Sequence, residues 1–339
     1  MGFSKVASRV DQLVEPVLIT YNRADQLYQT LAAFLDAGWG DKVFHVLDNA
    51  SSDNTPAIVE AFRKSWPNLN YHRNRWNIGG NANILRSLEI AQSEYHWVIG
   101  DDDAWYFTSS EEVANVLTEG KADIVRLGWL VSEQSRGHLL SIAELISDER
   151  LFFASISMIS AVILRRSLVT RYLPEAYQNI GNSYPQLVAV MRNIDEGLCV
   201  YTVSQDYMTH TPSEKPGYFS GDLEWYSDWY ATSRYLQNYT YKVSFLREAS
   251  HLMTLNRGGI FKEVTWLSKV ALNAKGMGLA QGSYLLSMLG NSRGVRLPVL
   301  LAIFAYLIIP GFLARILRRM YRKLMGLPLY TRSVDRSRL

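Results

Sequence analysis

Residues 95–103 read YHWVIGDDD, and the rest of the chain is best interpreted outward from this stretch. Its first five residues are mostly apolar or aromatic, which predicts a buried strand that ends where the acidic triplet begins. Similar runs at residues 16–21 and 43–47 end in the polar stretches that start at Asn22 and Asp48. Amphipathic helical patterns separate these runs. The alternation predicts βαβ units and therefore an α/β fold with a mostly parallel central sheet.

The polar stretches that follow the predicted strands indicate where a ligand binds. In open α/β sheets, ligands bind outside the carboxyl ends of the strands. The stretches at Asn22, Asp48 and Asp101 each come directly after a strand. We therefore expect them to lie together at one edge of one sheet.

The acidic triplet consists of Asp101, Asp102 and Asp103. Three adjacent carboxylates repel one another, so they favour a site with a compensating cation. Their hard oxygen atoms suit Mg²⁺ or Mn²⁺, which can also bridge the phosphates of a leaving nucleotide. The structural alternative is a helix start, because acidic residues are favourable near a helix N-terminus and residues 109–112 (SSEE) soon open a helix.

Other polar residues at the strand ends suit a nucleotide. The Asp48 carboxylate could accept hydrogen bonds from the edge of a pyrimidine, although such a residue is also ordinary in a turn. Tyr21 could stack on a base, and Arg23 could pair with a phosphate. Each signal is weak alone, but together with the acidic triplet they favour a nucleotide diphosphate ligand.

Four motifs occur in order along the chain: VLITYNR at 17–23, DNASSDNT at 48–55, NIGGN at 77–81 and GDDD at 100–103. They resemble the motifs of family 2 glycosyltransferases with the GT-A fold, and the resemblance covers roughly residues 14–210. The branch that the chain most resembles contains abequosyltransferase-like enzymes of O-antigen and surface-polysaccharide synthesis.

The resemblance implies a role for each matching residue. Residues expected to bind the nucleotide-diphosphate sugar are Thr20, Tyr21, Asn22, Arg23, Asp48, Asn77, Gly79, Gly80 and Asp101. Asp101, Asp102 and Asp103 correspond to the metal-binding acidic element of the family. The usual leading Asp of that element aligns with Gly100, so Asp102 is the expected direct ligand and catalytic residue. His210 resembles a late histidine that joins the metal or diphosphate, although a lone histidine is often structural.

The chain departs from the family at the expected general base. Residues 181–187 read GNSYPQL, where the family carries a Glu-Asp pair. Neither Asn nor Ser can accept a proton from a sugar hydroxyl at neutral pH. The base therefore comes from elsewhere, with Asp206, Glu214 and Asp222 as candidates, or the reaction does not use one in the usual way.

Composition narrows the class of protein. The chain has 339 residues with 48% hydrophobic residues, enough for a large packed core, and a net charge of only +3, which does not suggest a nucleic-acid binder. Cys199 is the single cysteine, and the first residues lack a signal-peptide profile, so we expect a reducing, cytoplasmic location. We expect a glycosyltransferase domain over residues 1–230 and a helical region over 231–339.

The C-terminal region contains an apolar segment at 297–313 and a basic amphipathic helix at 312–325. The apolar segment is short for a membrane-spanning helix, which needs about 20 residues. Flanking arginines favour a shallow anchor on anionic lipid, and the alternative is a buried helical hairpin with a solvated charged face. We expect a peripheral or monotopic protein at the cytoplasmic face of the bacterial inner membrane.

The resemblance and the anchor together predict a metal-dependent hexosyl- or deoxyhexosyltransferase. The donor would be a nucleotide-diphosphate sugar, and the acceptor a polyprenyl-diphosphate-linked glycan. A nucleotidyltransferase and a non-catalytic nucleotide-sugar-binding scaffold are the alternatives. A nucleotidyltransferase would be expected to have a Gly-rich loop with a lysine after the first strand, but residues 20–23 (TYNR) contain neither glycine nor lysine.

Overall fold

The computed structural model describes residues 13–210, 228–254 and 296–324, together with the single positions 268, 272, 275 and 276. The chain divides into two compact units, Met1–Pro212 and Ser213–Leu339. The sequence had suggested a border after residue 230.

The first unit is built on an eight-stranded sheet with the strand order β3-β2-β1-β4-β8-β6-β9-β7, and β5 pairs with β10 in a separate ribbon. The strands are β1 (Val14–Thr20), β2 (Phe44–Asp48), β3 (Leu69–Arg73), β4 (Tyr95–Gly100), β5 (Ala104–Trp105), β6 (Ile124–Arg126), β7 (Leu139–Ser141), β8 (Val162–Arg165), β9 (Cys199–Thr202) and β10 (Met208–Thr209).

The two halves of the sheet differ in strand direction. Strands β3, β2, β1 and β4 are all parallel to their neighbours. In the other half, β8 runs antiparallel to both β4 and β6, while β6 and β9 are parallel and β7 is antiparallel to β9. The predicted α/β fold with a mostly parallel central sheet is confirmed.

Nine helices accompany the described strands of the first unit. They are α1 (Ala24–Phe34), α2 (Thr55–Arg63), α3 (Gly80–Ile90), α4 (Ser110–Glu119), α5 (Ile142–Asp148), α6 (Phe152–Ser157), α7 (Arg166–Thr170), α8 (Leu173–Gln178) and α9 (Pro185–Ile194). Local sequence explains several ends: Pro56 lies in the first turn of α2, and a capping box of Ser141 and Glu144 opens α5. Gly120 ends α4 in the left-handed conformation, at φ 63°.

An aromatic cluster packs the chain that follows the acidic triplet against the sheet. The buried ring of Phe34 in α1 lies 5.6 Å from Trp97 of β4, measured between ring centroids. It also contacts Trp105 at 5.2 Å and Phe107 at 4.9 Å, both just beyond the triplet. Edge contacts of this kind add to the free energy gained by burial. The triplet thus lies between a buried strand and two partly buried aromatic residues that pack on Phe34.

The apolar run at residues 159–164 (ISAVIL) is only partly a strand. Such a run predicts extended chain throughout, but Ile159–Ala161 form a 3₁₀ turn and β8 occupies Val162–Arg165. The turn places the hydroxyl of Ser160 where the backbone N–H of Gly100 donates to it, at 2.8 Å. A tertiary contact at the end of β4 therefore overrides the apolar run.

The second unit is helical where it is described. Its helices are α10 (Tyr239–Thr254), α11 (Leu297–Ile308) and α12 (Gly311–Leu324). The ring of Trp229 stacks on Phe245 of α10 with centroids 4.6 Å apart. No single helix in the described ranges is long and apolar enough to cross a membrane, but α11 and α12, bent by 113° at their junction, pass such a test together by length and composition.

Candidate functional site

The polar stretches at the ends of β1, β2 and β4 meet, as the sequence predicted. The hydroxyl of Thr20 donates to Asp101 Oδ2 at 2.7 Å, which joins the ends of β1 and β4. The backbone N–H of Asn22 donates to Ser51 Oγ at 2.9 Å, and Asn22 Oδ1 accepts from the N–H of Ser52 at 2.7 Å. These bonds join the ends of β1 and β2. One edge of the parallel half-sheet therefore carries all three stretches. We call this edge, formed by the carboxyl ends of the parallel strands, the ligand edge.

A side chain already compensates part of the charge of the acidic triplet. Arg23 Nη1 lies 2.9 Å from Asp101 Oδ1 and 2.6 Å from Asp102 Oδ2. Burial lowers the pKa of Arg23, but the two carboxylates outweigh burial and raise it. Burial raises the pKa of Asp101, and the bonds from Thr20 and Arg23 offset only part of that increase. The Arg23 guanidinium therefore supplies part of the positive charge that we expected beside the triplet.

Asp103 is buried and meets His210, a residue more than a hundred positions away in sequence. Asp103 Oδ1 and His210 Nδ1 are 3.0 Å apart. Burial raises the pKa of Asp103, while hydrogen bonds from Ser160 and His210 act in the opposite direction. The ring of Trp129 lies edge-on to His210 at 6.3 Å between centroids. The structure therefore brings His210 to the triplet.

A side chain at position 100 would crowd the carboxylates of the acidic triplet. A Cβ atom at Gly100 would lie 3.2 Å from Asp102 Oδ1, and 3.3 Å from both Asp103 Oδ2 and Ser160 Oγ. A larger residue would force these oxygen atoms apart. The missing side chain lets two carboxylates fold back against the end of β4.

The donor set suits a shared ion better than one enclosed by the protein. In the part of the chain that the structure describes, no three His, Cys, Asp or Glu side chains form a group that could hold a metal. Asp101 is engaged by Thr20 and Arg23, and Asp103 by His210. The Asp102 side chain is 36% exposed, and Arg23 contacts its Oδ2 atom. Hard carboxylate oxygens fit Mg²⁺ or Mn²⁺, provided that a ligand or water completes the coordination.

Asp48 differs from the prediction. Its side chain is 0% exposed, and its carboxylate accepts from the N–H of Ser51 at 2.8 Å, from Tyr71 OH at 2.6 Å and from Arg73 Nε at 3.1 Å. The predicted direct hydrogen bond from Asp48 to a base therefore finds no exposed oxygen in this structure. Asp48 instead holds Ser51, Tyr71 and Arg73 at the end of β2.

Arg73 is a candidate binding residue that the sequence analysis missed. It is the last residue of β3 and lies in register with Asp48 of β2. Besides its bond to Asp48, it donates from Nη2 to the carbonyl oxygen of Ser51 at 2.7 Å, and its side chain is about half exposed. Opposite charges at the ends of two neighbouring strands were the available signal. A guanidinium fixed in this way presents a cation at the ligand edge.

An asparagine network shapes the turn before α3. Asn77 Oδ1 accepts from Asn49 Nδ2 at 2.7 Å and from the N–H of Gly79 at 2.8 Å. Gly79 has φ 89°, which favours glycine. Asn81 Nδ2 then donates to the carbonyl oxygens of Ile180 and Asn182, at 3.0 and 2.8 Å. The segment that lacks the family's carboxylates is therefore bonded to the first turn of α3.

The candidate general bases separate into two groups. Asp206 is half exposed and accepts a hydrogen bond from Arg136 Nη2 at 2.8 Å, so its described partner is an arginine and not the acidic triplet. A Cβ atom on Gly128 would lie 2.5 Å from Asp206 Oδ1, so glycine is needed there. Glu214 and Asp222 lie outside the described residues.

Comparison with known proteins gives one family and one fold. Residues 17–155 match the model of Glycosyl transferase family 2. Abequosyltransferase RfbV of Salmonella typhimurium is 30% identical over 115 residues, which are 33% of this chain and 34% of that protein. The match thus spans about a third of that relative's length.

Solved structures of TarS from S. aureus extend the likeness beyond the family match. TarS 1–349 in complex with UDP superposes with a TM-score of 0.57 at 15% identity, covering 92% of this chain and 91% of that one. Its complex with UDP-GlcNAc gives a TM-score of 0.54 at 15% identity, covering 94% and 93%. At this identity the likeness concerns the fold.

Proposed function

Because residues 17–155 match the model of Glycosyl transferase family 2 and the fold is of the GT-A type, we propose that this protein transfers a sugar from a nucleotide-diphosphate donor to a hydroxyl group of a glycan acceptor. The observation that carries the proposal is the junction of three strand ends, where Thr20 and Arg23 contact Asp101. Carboxyl ends of parallel strands are the usual ligand edge of such sheets.

The donor end of the proposed site contains two fixed arginines and one accessible carboxylate. Arg73, held by Asp48, and Arg23, held by Asp101 and Asp102, present cations to an anionic nucleotide. Asp102 is the expected protein ligand for Mg²⁺ or Mn²⁺. A divalent ion bound there would stabilise the negative charge that develops on the nucleotide diphosphate as it leaves.

The residues proposed to surround the donor are held by bonds to one another. Thr20, Asn22, Asn77 and Gly79 all take part in bonds within the edge. Such pre-ordering reduces the entropy that is lost on binding. TarS, which shares the fold, has been crystallised with UDP and with UDP-GlcNAc, and this supports the same class of donor here.

The acceptor end must remove a proton from a hydroxyl group without the family's usual carboxylates. Asp206, Glu214 and Asp222 are the proposed bases. Of these, Asp206 is described, and its carboxylate is half exposed beside Arg136. A base must come within hydrogen-bond reach of the hydroxyl proton once the acceptor is bound.

The likeness to an abequosyltransferase supports an acceptor in bacterial surface-polysaccharide synthesis, O-antigen-like in kind. We propose a polyprenyl-diphosphate-linked oligosaccharide, met at the cytoplasmic face of the bacterial inner membrane. An enzyme held at that face would meet a lipid-linked acceptor at a high effective concentration.

Thermal unfolding of the full chain with UDP-, GDP- and CDP-sugars, with and without Mn²⁺, tests the donor site. A cognate donor at a hundred times its Kd should stabilise the fold by about 2.7 kcal/mol. Asp102→Asn should abolish the Mn²⁺-dependent part of the shift and the release of nucleotide diphosphate from the donor. Asp41→Asn, at a strongly exposed carboxylate before the start of β2 and therefore at the opposite end of that strand from Asp48, is the matched control.

Each alternative function gives a different result in the same assay. Stabilisation without donor hydrolysis or transfer would indicate a binding scaffold. Consumption of a nucleoside triphosphate with pyrophosphate release would indicate a nucleotidyltransferase. No shift with any nucleotide sugar would contradict the proposed donor site.

A further inference from the structure

Helix α12 in the second unit buries arginine side chains and exposes large apolar side chains, which is the reverse of the usual pattern. The residues that it turns toward the protein are Ala314, Arg318 and Arg322, and Arg318 is only 7% exposed. Its large apolar residues are exposed, with Met320 at 57%. Those residues are Phe312, Leu313, Ile316, Leu317, Met320, Tyr321 and Leu324. A surface helix in water normally buries its apolar stripe and exposes its charges.

Close contacts fix this orientation. A Cβ atom on Gly276 would lie 3.0 Å from the carbonyl oxygen of Ala314 and 2.9 Å from Arg318 Cδ. The helix therefore rests on the unit through its Ala314–Arg318 side. Ile316 and Met320 lie close to the opposite side of the helix and Leu317 lies on its flank, given 100° per residue. The apolar face consequently points away from the side on which the helix rests on the second unit.

Helix α11 shows a second exposed apolar stripe. It buries Val299, Ala302, Ile303 and Tyr306, and Lys275 Nζ donates to the Tyr306 carbonyl oxygen at 2.5 Å. On its other side it exposes Leu297, Leu301, Phe304 and Ile308. These four positions follow the i, i+4, i+7 spacing of one helix face. We call the exposed apolar residues of α11 and α12 the docking face.

The charge around the docking face is of one sign. Residues 296–324 contain no Asp or Glu and six Lys or Arg residues. Arg315, Arg319 and Lys323 are exposed and lie at successive i, i+4 positions along α12. A cationic row beside an apolar face is typical of helices that lie in the interface of an anionic membrane.

We propose that the docking face inserts into one leaflet of an anionic phospholipid bilayer, with Arg315, Arg319 and Lys323 at the level of the head groups. The alternative of a buried hairpin requires the apolar residues to face inward, and they face outward. A second copy of the chain on the same face would bring two cationic rows together in an isologous contact. The proposal does not rest on the transfer reaction.

Vesicle flotation of the full chain tests the proposal. Wild-type protein should float with vesicles of phosphatidylglycerol and phosphatidylethanolamine, and bind phosphatidylcholine vesicles far more weakly. The double variant Leu301→Asp/Phe304→Asp should raise the apparent Kd at least about 100-fold. Leu139→Asp is the matched control, because Leu139 and Leu301 are both 40% exposed, and it should bind as wild type. Arg315→Gln/Arg319→Gln should weaken binding to anionic vesicles about 30-fold.

A spectroscopic measurement distinguishes a true loss of membrane binding from a loss that results from misfolding of the variants. Cys199 is the single cysteine, so a Cys199→Ser background accepts one probe at Phe304→Cys, Met320→Cys or Leu139→Cys. An environment-sensitive fluorophore should shift to the blue with anionic vesicles at the first two sites and not at the third. Unchanged spectra at all three sites would overturn the proposal. A dimer of wild-type protein that Leu301→Asp/Phe304→Asp converts to a monomer, without vesicle binding, would also overturn it.

Discussion

The ligand edge of the sheet and the docking face break the usual rule of burial in opposite ways. At the edge, carboxylates such as Asp48 and Asp101 are buried, and nearly all of their bonds are made within the protein. On the docking face, leucine, isoleucine and phenylalanine are exposed while Arg318 and Arg322 are buried. Burying charges and exposing apolar side chains both cost folding free energy. The ligand edge suits the proposed nucleotide-diphosphate donor, and the docking face suits the proposed lipid bilayer. Four sets of substitutions, described in order of decreasing expected effect, test how buried and exposed side chains contribute to stability in and around these regions.

The two sides of α11 should respond very differently to the same change. Ile303→Asp places a charge at a fully buried position and should lower the free energy of unfolding by about 4 kcal/mol or more. Leu301→Asp, two residues earlier and 40% exposed, should change it by less than about 0.5 kcal/mol. Urea unfolding measures both. Equal losses would mean that the docking face is packed in the folded protein.

The two carboxylates of the loop after β2 should also differ. Asp48→Ala leaves the N–H of Ser51, the hydroxyl of Tyr71 and the guanidinium of Arg73 without their acceptor, and should cost about 3 kcal/mol. Asp53→Ala removes an exposed carboxylate that accepts from the N–H groups of Ala24 and Thr55, and should cost about 1 kcal/mol. Similar losses in chemical denaturation would contradict a central role for Asp48.

His96 should make stability depend on pH. Burial, and to a lesser extent the charge of Arg166, lowers the pKa of His96 from 6.5 to about 4. Neither ring nitrogen has a hydrogen-bond partner among the described residues. In the unfolded chain His96 is therefore protonated below about pH 6.5, whereas in the folded chain it is protonated only below about pH 4. Stability present above pH 6.5 is therefore lost as the pH falls, by about 2 kcal/mol at pH 5.

The variant His96→Leu isolates this contribution. It should flatten the fall in the free energy of unfolding between pH 6.5 and 5, leaving the smaller part that the lowered pKa values of His45 and His72 supply. His138→Leu, at an exposed position, should keep the wild-type slope. An unchanged slope in His96→Leu would show that His96 is hydrated or paired in solution.

Arg23 should matter little to stability. Its side chain is 44% exposed, so the pair with Asp102 is screened by solvent, and Asp101 keeps its bond from Thr20. Arg23→Gln should lower the free energy of unfolding by no more than about 1 kcal/mol. Binding of a nucleotide diphosphate, measured by calorimetry, should weaken far more than stability. A loss above 2 kcal/mol in unfolding would place Arg23 in the folding core.

Much of the parallel half-sheet was predictable from sequence. The observed ends of β1, β2 and β4 lie within two residues of those predicted. Each of these strands is an apolar run between turn-forming residues. In the mixed half of the sheet, the sequences of the short helices α5 to α8 show no clear hydrophobic periodicity. Residues 159–161 look like a strand, but Ser160 turns to bind Gly100.

The grouping of site residues was predictable, whereas their partners were not. Carboxyl ends of adjacent parallel strands share an edge, so Thr20, Asp48 and Asp101 had to lie near one another. The contact of Arg23 with both Asp101 and Asp102 depends on where α1 begins. The bond from Arg73 to Asp48 depends on the register of β2 and β3. Neither follows from the order of motifs along the chain.

The 113° bend between α11 and α12 has a geometric consequence. A single amphipathic rod lying on a surface remains free to rock about its long axis. Two rods that meet at Pro310 at a wide angle define a plane, and both can lie flat only when that plane is parallel to the surface. Contact with lipid would therefore fix the tilt of the second unit as well as its height above the bilayer.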